Sequence, residues 1–172
     1  MRPYAGFWQR VKAFAFDYFI ILGYLIVITV VGLLLRQFTD GFEWLFADRV
    51  RAQGTVILML TLPVSLYFAL GDASSKQGTW GKQRIGLIVT DKNGNRIGIG
   101  KSLVRTVLKF IPWELSHTLL WEIAFANGTP SASINYGYAF VYLLIGLNIA
   151  SVLMTQTRQS LYDLLTGTCV ER

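Results

Sequence analysis

The stretch FWQRVKAFAFDYFIILGYLIVITVVGLLLR, residues 7–36, decides the class of this protein. Residues 18–35 carry no charge, and with the preceding turn they form a segment of about 24 residues, the length that an α-helix needs to cross a bilayer. The same stretch nevertheless contains Arg10 and, two turns later, Asp17. Because a charge in hydrocarbon is costly and rarely accidental, this pair is the first candidate for a functional site.

The composition agrees with a membrane protein. The chain has 172 residues, of which 53% are hydrophobic and only 15% charged, which is too apolar for an ordinary soluble domain. This length predicts one unit, residues 1–172, without a second folded domain. The net charge of +6 is not accompanied by a nucleic-acid recognition motif, so we predict the lipid bilayer and no nucleic acid as its partner. The single cysteine, Cys169, cannot form an internal disulfide.

Four apolar runs predict the spans. They lie at about residues 12–35, 55–72, 103–126 and 134–157, and the predicted fold is an all-α integral membrane protein with a four-helix transmembrane bundle. The third run is ambiguous because it contains charged residues. It either crosses, with Arg105 and Lys109 snorkelling at the inner surface, or lies in the interface as an amphipathic helix; we favour the crossing.

Loop charges predict the orientation. The segment from residue 72 to residue 109 holds eight basic against two acidic residues, and an excess of Lys and Arg marks cytoplasmic loops. We therefore expect a multi-pass protein of the cytoplasmic (inner) membrane with both termini and this segment in the cytoplasm. Residues 40–53 and 127–133 are expected outside.

The cytoplasmic segment has β character. GLIVTDKNGNRIGIG, residues 86–100, contains two β-like runs around Asn93-Gly94, a dipeptide that favours tight hairpin turns. The pattern predicts a small cytoplasmic β-hairpin over about residues 84–100. The C-terminal run TGTCVER, residues 166–172, could add a third strand.

Several segments together resemble the RDD family of small bacterial and archaeal membrane proteins. They are the arginine before the first span, the aspartate within it, SSKQGTWGKQRIGLIVTDKNG (74–94), LVRTVLKFIPWELSH (103–117) and RQSLYDLLTGTCV (158–170). The arginine and two aspartates that name the family map onto Arg10, Asp17 and Asp163. The resemblance implies an integral membrane protein with a suspected transport role, since some members are described as cation/proton antiporters, and it implies no particular substrate.

Two interpretations of these three residues stay open. Arg10 and Asp17 are seven residues apart, so they share a helix face and lie about 10 Å apart along the axis. Asp163 could approach Arg10 from the cytoplasmic end. The triad either clamps helix ends together, or Asp17 exchanges a proton or cation while Arg10 controls its charge.

Further polar residues at membrane depth are candidates for an ion pathway. In the second span the pattern places Thr61, Ser65 and Asp72 on one face. In the last span a polar stripe is formed by Asn148, Ser151 and Thr155. Such stripes make interhelical hydrogen bonds more often than they line a channel.

The third span contains Glu114 and His117, which share a helix face. A Glu-x-x-His pair is half of a metal site in helical bundles, but a single copy is present, so we predict no metal and no cofactor. The pair is then a buried salt bridge or part of a proton relay.

These patterns favour a small proton-coupled transporter that exchanges a monovalent cation or small solute. At this size it would need a homo-oligomer. A non-transporting accessory or scaffold subunit is the alternative, and a metal-dependent membrane enzyme is a distant third. We expect no enzyme, because nucleophile and phosphate-loop motifs are lacking.

Overall fold

The computed structural model describes residues 3–126 and 132–172, and most of these are helical. The helices are α1 (Phe7–Arg36), α2 (Gly41–Leu45), α3 (Arg49–Val56), α4 (Leu62–Ala73), α5 (Trp80–Ile85), α6 (Ile99–Ala124), α7 (Ala132–Met154) and α8 (Leu161–Thr166). Two short strands, β1 (Ile88–Asp91) and β2 (Thr168–Glu171), complete the elements.

Three helical stretches are long and apolar enough to cross a membrane. They are Phe7–Arg36, Arg49–Ala73 and Ala132–Met154. The middle stretch is continuous because a π-helical segment, Ile57–Thr61, joins α3 to α4. The predicted first, second and fourth spans coincide with these stretches, although all three stretches begin earlier than predicted.

The predicted four-helix bundle was incomplete as a description of the fold. The third predicted span is the 26-residue helix α6, which is long enough to cross but carries more charge than the other three. In addition, the short helices α2, α5 and α8 lie between or beside the long ones. The helices α5 and α8 and both strands gather at one end of the long helices, which we call the sheet end.

Helix α1 has the surface of a helix that faces lipid. Its most apolar 18-residue window contains no buried residue, and only Ala13 and Asp17 are buried along the whole helix. A helix that exposes apolar side chains all round is stable only in an apolar solvent. This observation, together with its length, places α1 in the bilayer.

The predicted hairpin over residues 84–100 was wrong in its second arm. A turn does form at Asn93-Gly94, where the Gly94 N–H donates to the Asp91 carbonyl at 3.1 Å and Gly94 has a φ of 79°. The returning chain makes only an isolated bridge between Arg96 and Thr90, because Gly98 already begins α6 as its N-cap. Too few residues remain for a strand.

The strand β1 instead pairs with the C-terminal strand. β1 and β2 are antiparallel, with Val89 opposite Val170, which is the pairing expected of the C-terminal run. The Ala5 N–H donates to the Val170 carbonyl at 2.8 Å, and a small core of Ala5, Ala13, Leu87, Val89, Ile97 and Val170 lies beneath. This core fixes the start of α1 against the sheet end.

Candidate functional site

A chain of buried ion pairs crosses the sheet end. Its five members are Arg10 of α1, Asp163 of α8, Arg105 of α6, Asp72 of α4 and Lys82 of α5, in that order of contact. We call this set the charge network. Each member comes from a different helix, so the network connects five helices through side chains alone.

Asp163 is the most heavily bonded member. Its carboxylate accepts from Arg10 Nη1 at 2.7 Å and from Arg105 Nε at 2.8 Å, and the Ser160 and Thr168 hydroxyls donate at 2.8 and 3.0 Å. Burial acts to raise the pKa of this carboxyl, but Arg105 and then Arg10 outweigh burial and hold the pKa well below its usual range. Asp163 is therefore a permanent anion near neutral pH.

Arg105 lies between the two acids rather than at the membrane surface. Its Nη1 donates to Asp72 at 2.6 Å, its guanidinium lies 5.0 Å from the centre of the Tyr162 ring, and only 2% of the residue is exposed. The prediction that Arg105 snorkels was wrong. Two carboxylates inside the protein satisfy the planar guanidinium, so it has no need to reach water.

Lys82 ends the network on α5. It pairs with Asp72, and the two residues are 8% and 0% exposed. Burial lowers the pKa of Lys82, while the Asp72 carboxylate opposes that shift. Lys82 thus faces inward, although it belongs to the basic segment whose charges predict the orientation.

Asp17 is bonded by neutral groups and makes no contact with Arg10. The hydroxyls of Tyr67 and Thr79 each donate to its carboxylate at 2.6 Å, and the Gly81 N–H donates at 2.7 Å. Arg10 and Asp17, which the sequence pattern places on one face of the first helix, are thus not in direct contact. The Arg10 guanidinium is occupied by Asp163, and Asp17 lies two turns further along α1, where α5 packs.

A second polar cluster surrounds Glu114 on α6. Glu114 Oε2 accepts from Gln53 Nε2 at 3.0 Å, Oε1 accepts from the Thr61 hydroxyl, and His117 Nδ1 lies 3.7 Å from Oε1. The Glu114 and His117 side chains are 27% and 18% exposed. We call Gln53, Thr61, Glu114 and His117 the Glu114 cluster.

This cluster has unused hydrogen-bonding capacity. Gln53 Oε1, His117 Nδ1 and, one turn further, Trp121 Nε1 are buried atoms without a hydrogen-bond partner. Buried polar atoms are nearly always satisfied, so these three atoms have the capacity to bind a further group such as water or an ion. The adjacent π-helical segment ends at Thr61, and π segments in α-helices are frequent at functional sites.

A cavity of about 250 Å³ lies next to the charge network. Its polar lining includes Arg10, Asp17, Lys82, Arg105, Lys109 and Asn148, and the rest is mostly apolar. The cavity brings together two of the three residues that the sequence analysis grouped as a triad, Arg10 and Asp17, although they do not touch.

The polar residues of the last span mostly fasten the chain that follows. The Ser151 hydroxyl donates to the Gln159 carbonyl at 2.7 Å, and the Thr155 hydroxyl donates to the Ser151 carbonyl at 2.7 Å and accepts from the Gln159 N–H at 2.9 Å. Asn148 donates to the Leu144 carbonyl at 2.9 Å but leaves its Oδ1 unpaired. Of this stripe, Asn148 alone lines the cavity.

The polar candidates of the second span have different surroundings. Thr61 bonds Glu114 and Asp72 joins the charge network. Ser65 is half-buried and makes no side-chain hydrogen bond to another described residue. Within the described residues no group of three or more His, Cys, Asp or Glu side chains could hold a metal ion.

Sequence reasoning missed four residues that complete these sites. Lys82 and Tyr67 were not singled out, Thr79 is an inconspicuous threonine, and Gln53 was placed in a loop. The acidic residues within apolar helices were the one indication of such partners, since each buried carboxylate requires hydrogen-bond donors. That signal does not say which donors they are.

Comparison with known proteins identifies the family. No solved structure matches this chain. Over 114 residues the chain is 30% identical to the uncharacterized protein YxaI of Bacillus subtilis (strain 168). The matched region covers 61% of this chain and 75% of YxaI. The model of the RDD family matches residues 4–167, a range that contains Arg10, Asp17 and Asp163. This protein, with its apolar membrane-length helices, therefore belongs to the RDD family.

Proposed function

We propose that this protein exchanges protons for a monovalent cation or another small solute across the cytoplasmic membrane, and that the Glu114 cluster carries the exchanged ion. In this proposal α6 crosses as a fourth span, both termini are cytoplasmic, and the protein works as a homo-oligomer. The proposal rests on one observation: Glu114 lies in a membrane-length helix, and the groups that donate hydrogen bonds to its carboxylate are neutral.

The Glu114 cluster differs from the charge network in its freedom to change charge. Asp72 and Asp163 each contact cations that are held in place. The described contacts of Glu114 are an amide, a hydroxyl and a histidine, and the histidine is charged only when it is protonated. The charge of Glu114 can therefore be balanced by a proton or by a transported cation.

The cluster also offers suitable ligands for a cation. The Glu114 carboxylate, the Thr61 hydroxyl and the unpaired Gln53 Oε1 are oxygen atoms, which hard cations prefer. A proton on Glu114 would remove the charge that attracts the cation. Competition between the two for one carboxylate is the physical basis of exchange.

The charge network supports the proposal by holding the sheet end rigid. Its members are paired, and Asp17 is saturated by three donors, so these residues act as fasteners. In this proposal the coupling role that one of the two interpretations gave to Asp17 belongs to Glu114 and His117 instead.

Reconstituted protein tests this assignment. Proton flux on addition of Na⁺, K⁺ or Li⁺ is measured in proteoliposomes from about pH 6 to about pH 9. We expect Glu114→Gln, which keeps the shape but cannot ionise, to abolish cation-dependent proton flux. The matched control is Glu122→Gln on the same helix, because Glu122 is 42% exposed and has a cationic partner in Arg49; it should keep the flux.

Two outcomes would contradict the proposal. Undiminished flux in a Glu114→Gln protein with a normal size-exclusion profile would remove the coupling role from Glu114. Absence of flux in the wild type with every monovalent cation would favour the accessory or scaffold subunit, which needs no pathway.

A further inference from the structure

Lys109 of α6 is a cation without a counter-ion. All ten acidic residues of the chain lie in its described part, and none of them forms an ion pair with Lys109 there. Its Nζ lies 3.5 Å from the centre of the Phe68 ring and 5.5 and 5.8 Å from those of Phe110 and Phe14. Aromatic faces stabilise a cation, but they do not neutralise it.

The cavity has one more lining cation than it has nearby carboxylates. Four cations line the cavity: Arg10, Lys82, Arg105 and Lys109. Three carboxylates are available to them: Asp17, Asp72 and Asp163. Arg10, Lys82 and Arg105 share the carboxylates of Asp72 and Asp163, and Asp17 is bonded by neutral groups. Lys109 is therefore the lining cation that has no ion-pair partner among the described residues. A basic side chain in a desolvated site keeps its charge most easily beside a group of opposite charge, so an anionic ligand would complement Lys109.

A second unsatisfied group faces the same cavity. Asn148 lines it from α7, and Asn148 Oδ1 is a buried acceptor without a donor. A ligand that complements both groups carries an anionic oxygen for Lys109 and a hydroxyl for Asn148. The phosphodiester and free hydroxyl of a polar lipid headgroup provide this combination.

The cavity walls point to a lipid as the source of this anion. Its apolar lining includes Val11 and Phe14 of α1, which are 38% and 47% exposed. Because α1 faces lipid, a cavity bounded by these side chains opens toward the bilayer. Lys109 lies ten residues into α6, about 15 Å along its axis, so a headgroup could enter while its chains stay beside α1.

We infer that this cavity binds the headgroup of an anionic phospholipid, with the phosphate at Lys109, a headgroup hydroxyl at Asn148 and the acyl chains along Val11 and Phe14. The inference is independent of transport and goes beyond it. It assigns the unpaired lysine a ligand that the membrane itself supplies.

Lipid-dependent thermal stability of the full-length protein in detergent tests the inference. The probes are dioctanoyl phosphatidylglycerol, dioctanoyl phosphatidylcholine and inorganic phosphate. Phosphatidylglycerol should raise the Tm in a saturable way, while phosphatidylcholine and inorganic phosphate at equal concentration should leave it unchanged. Lys109→Gln should weaken the affinity for phosphatidylglycerol by roughly tenfold to a hundredfold, the range for a lost hydrogen bond to a charged group.

The matched control is Lys101→Gln, an exposed lysine on the same helix, which should bind phosphatidylglycerol like the wild type. A second variant, Ile149→Trp, fills the cavity from α7, so phosphatidylglycerol should no longer raise its Tm. This variant tests the site if Lys109→Gln does not fold. Equal stabilisation of the wild type and both cavity variants would overturn the site. Inorganic phosphate as effective as phosphatidylglycerol would overturn the lipid assignment.

Discussion

The closest approach between α1 and α5 occurs at Gly81, and substituting this glycine should separate the two helices. A Cβ built on Gly81 would lie 2.1 Å from the Ala13 carbonyl oxygen and 2.7 Å from Asp17 Cγ. Both atoms belong to α1, and the nearer one is backbone, so no side-chain rotation relieves the overlap. The helix α5 would have to move away, and the hydrogen bond from the Gly81 N–H to Asp17 would lengthen with it.

The expected cost is the sum of two effects. Overpacking a filled site typically costs about 1–3 kcal/mol, and losing a hydrogen bond to a buried carboxylate costs about 1.5–3 kcal/mol. We therefore expect Gly81→Ala to lower the free energy of unfolding by about 3 kcal/mol or more. For a chain of this size that corresponds to a fall in Tm of roughly 6–12 °C, measured by tryptophan fluorescence in detergent.

Gly100→Ala provides the matched control. Gly81 and Gly100 are each the second residue of a helix, but nothing lies within 4 Å of a Cβ built on Gly100. Alanine favours a helix over glycine by about 1 kcal/mol, so Gly100→Ala should leave the Tm unchanged or raise it slightly. A Gly81→Ala protein that melts with the wild type would refute the close packing of α5 on α1 and the role of Asp17 as its anchor.

Two further predictions concern the charge network and the topology. Asp163→Asn should lower the free energy of unfolding by about 3–5 kcal/mol, because it leaves the buried Arg105 and the partly buried Arg10 each short of a carboxylate partner. Asp40→Asn, at an exposed residue without a side-chain capping bond, should change it by no more than about 0.5 kcal/mol. Since the folded state lowers the pKa of Asp163, its stabilisation is complete above the unfolded pKa of about 4 and is lost as the pH falls toward the folded value. The difference in Tm between wild type and Asp163→Asn should therefore persist at neutral pH and shrink only below about pH 4; a difference that already vanishes near pH 6 would argue against the ion pairs. On a Cys169→Ser background, an impermeant thiol reagent added to intact cells should label Thr39→Cys and spare Lys92→Cys, and the reverse pattern would invert the proposed orientation.

The membrane-length helices could be predicted from the sequence because their signal is local. A run of uncharged residues long enough to cross a bilayer has few structural alternatives, and three of the four predicted spans coincide with helices that meet the length and composition requirement. The external turn predicted at residues 127–133 lies mostly outside the described residues. The fourth predicted span is a helix, but its charges make its crossing depend on partners that only tertiary structure supplies.

The partners of the buried charges could not be predicted, because they come from distant parts of the chain. The resemblance grouped Arg10 with Asp17 and Asp163, and the structure places Arg10 against Asp163 alone. Asp17 is bonded by α5, whose return onto α1 depends on the space left by Gly81. Helical spacing can place two residues on one face, but it cannot say which other helix will cover each of them.

The spacing of Arg10 and Asp17 along α1 now has a physical explanation. Each anchors a different segment of the sheet end to the same helix: Arg10 holds α8 through Asp163, and Asp17 holds α5 through Gly81. Beyond Asp17 no residue of α1 is buried, and the Tyr24 hydroxyl bonds the Met59 carbonyl of the π-helical segment at 2.5 Å. These anchors hold one end of α1 at the sheet end, and the Tyr24 bond joins the middle of the helix to the second span. The Glu114 cluster contacts the same π-helical segment through Thr61, so this segment connects α1 to the Glu114 cluster by hydrogen bonds that do not involve the charge network.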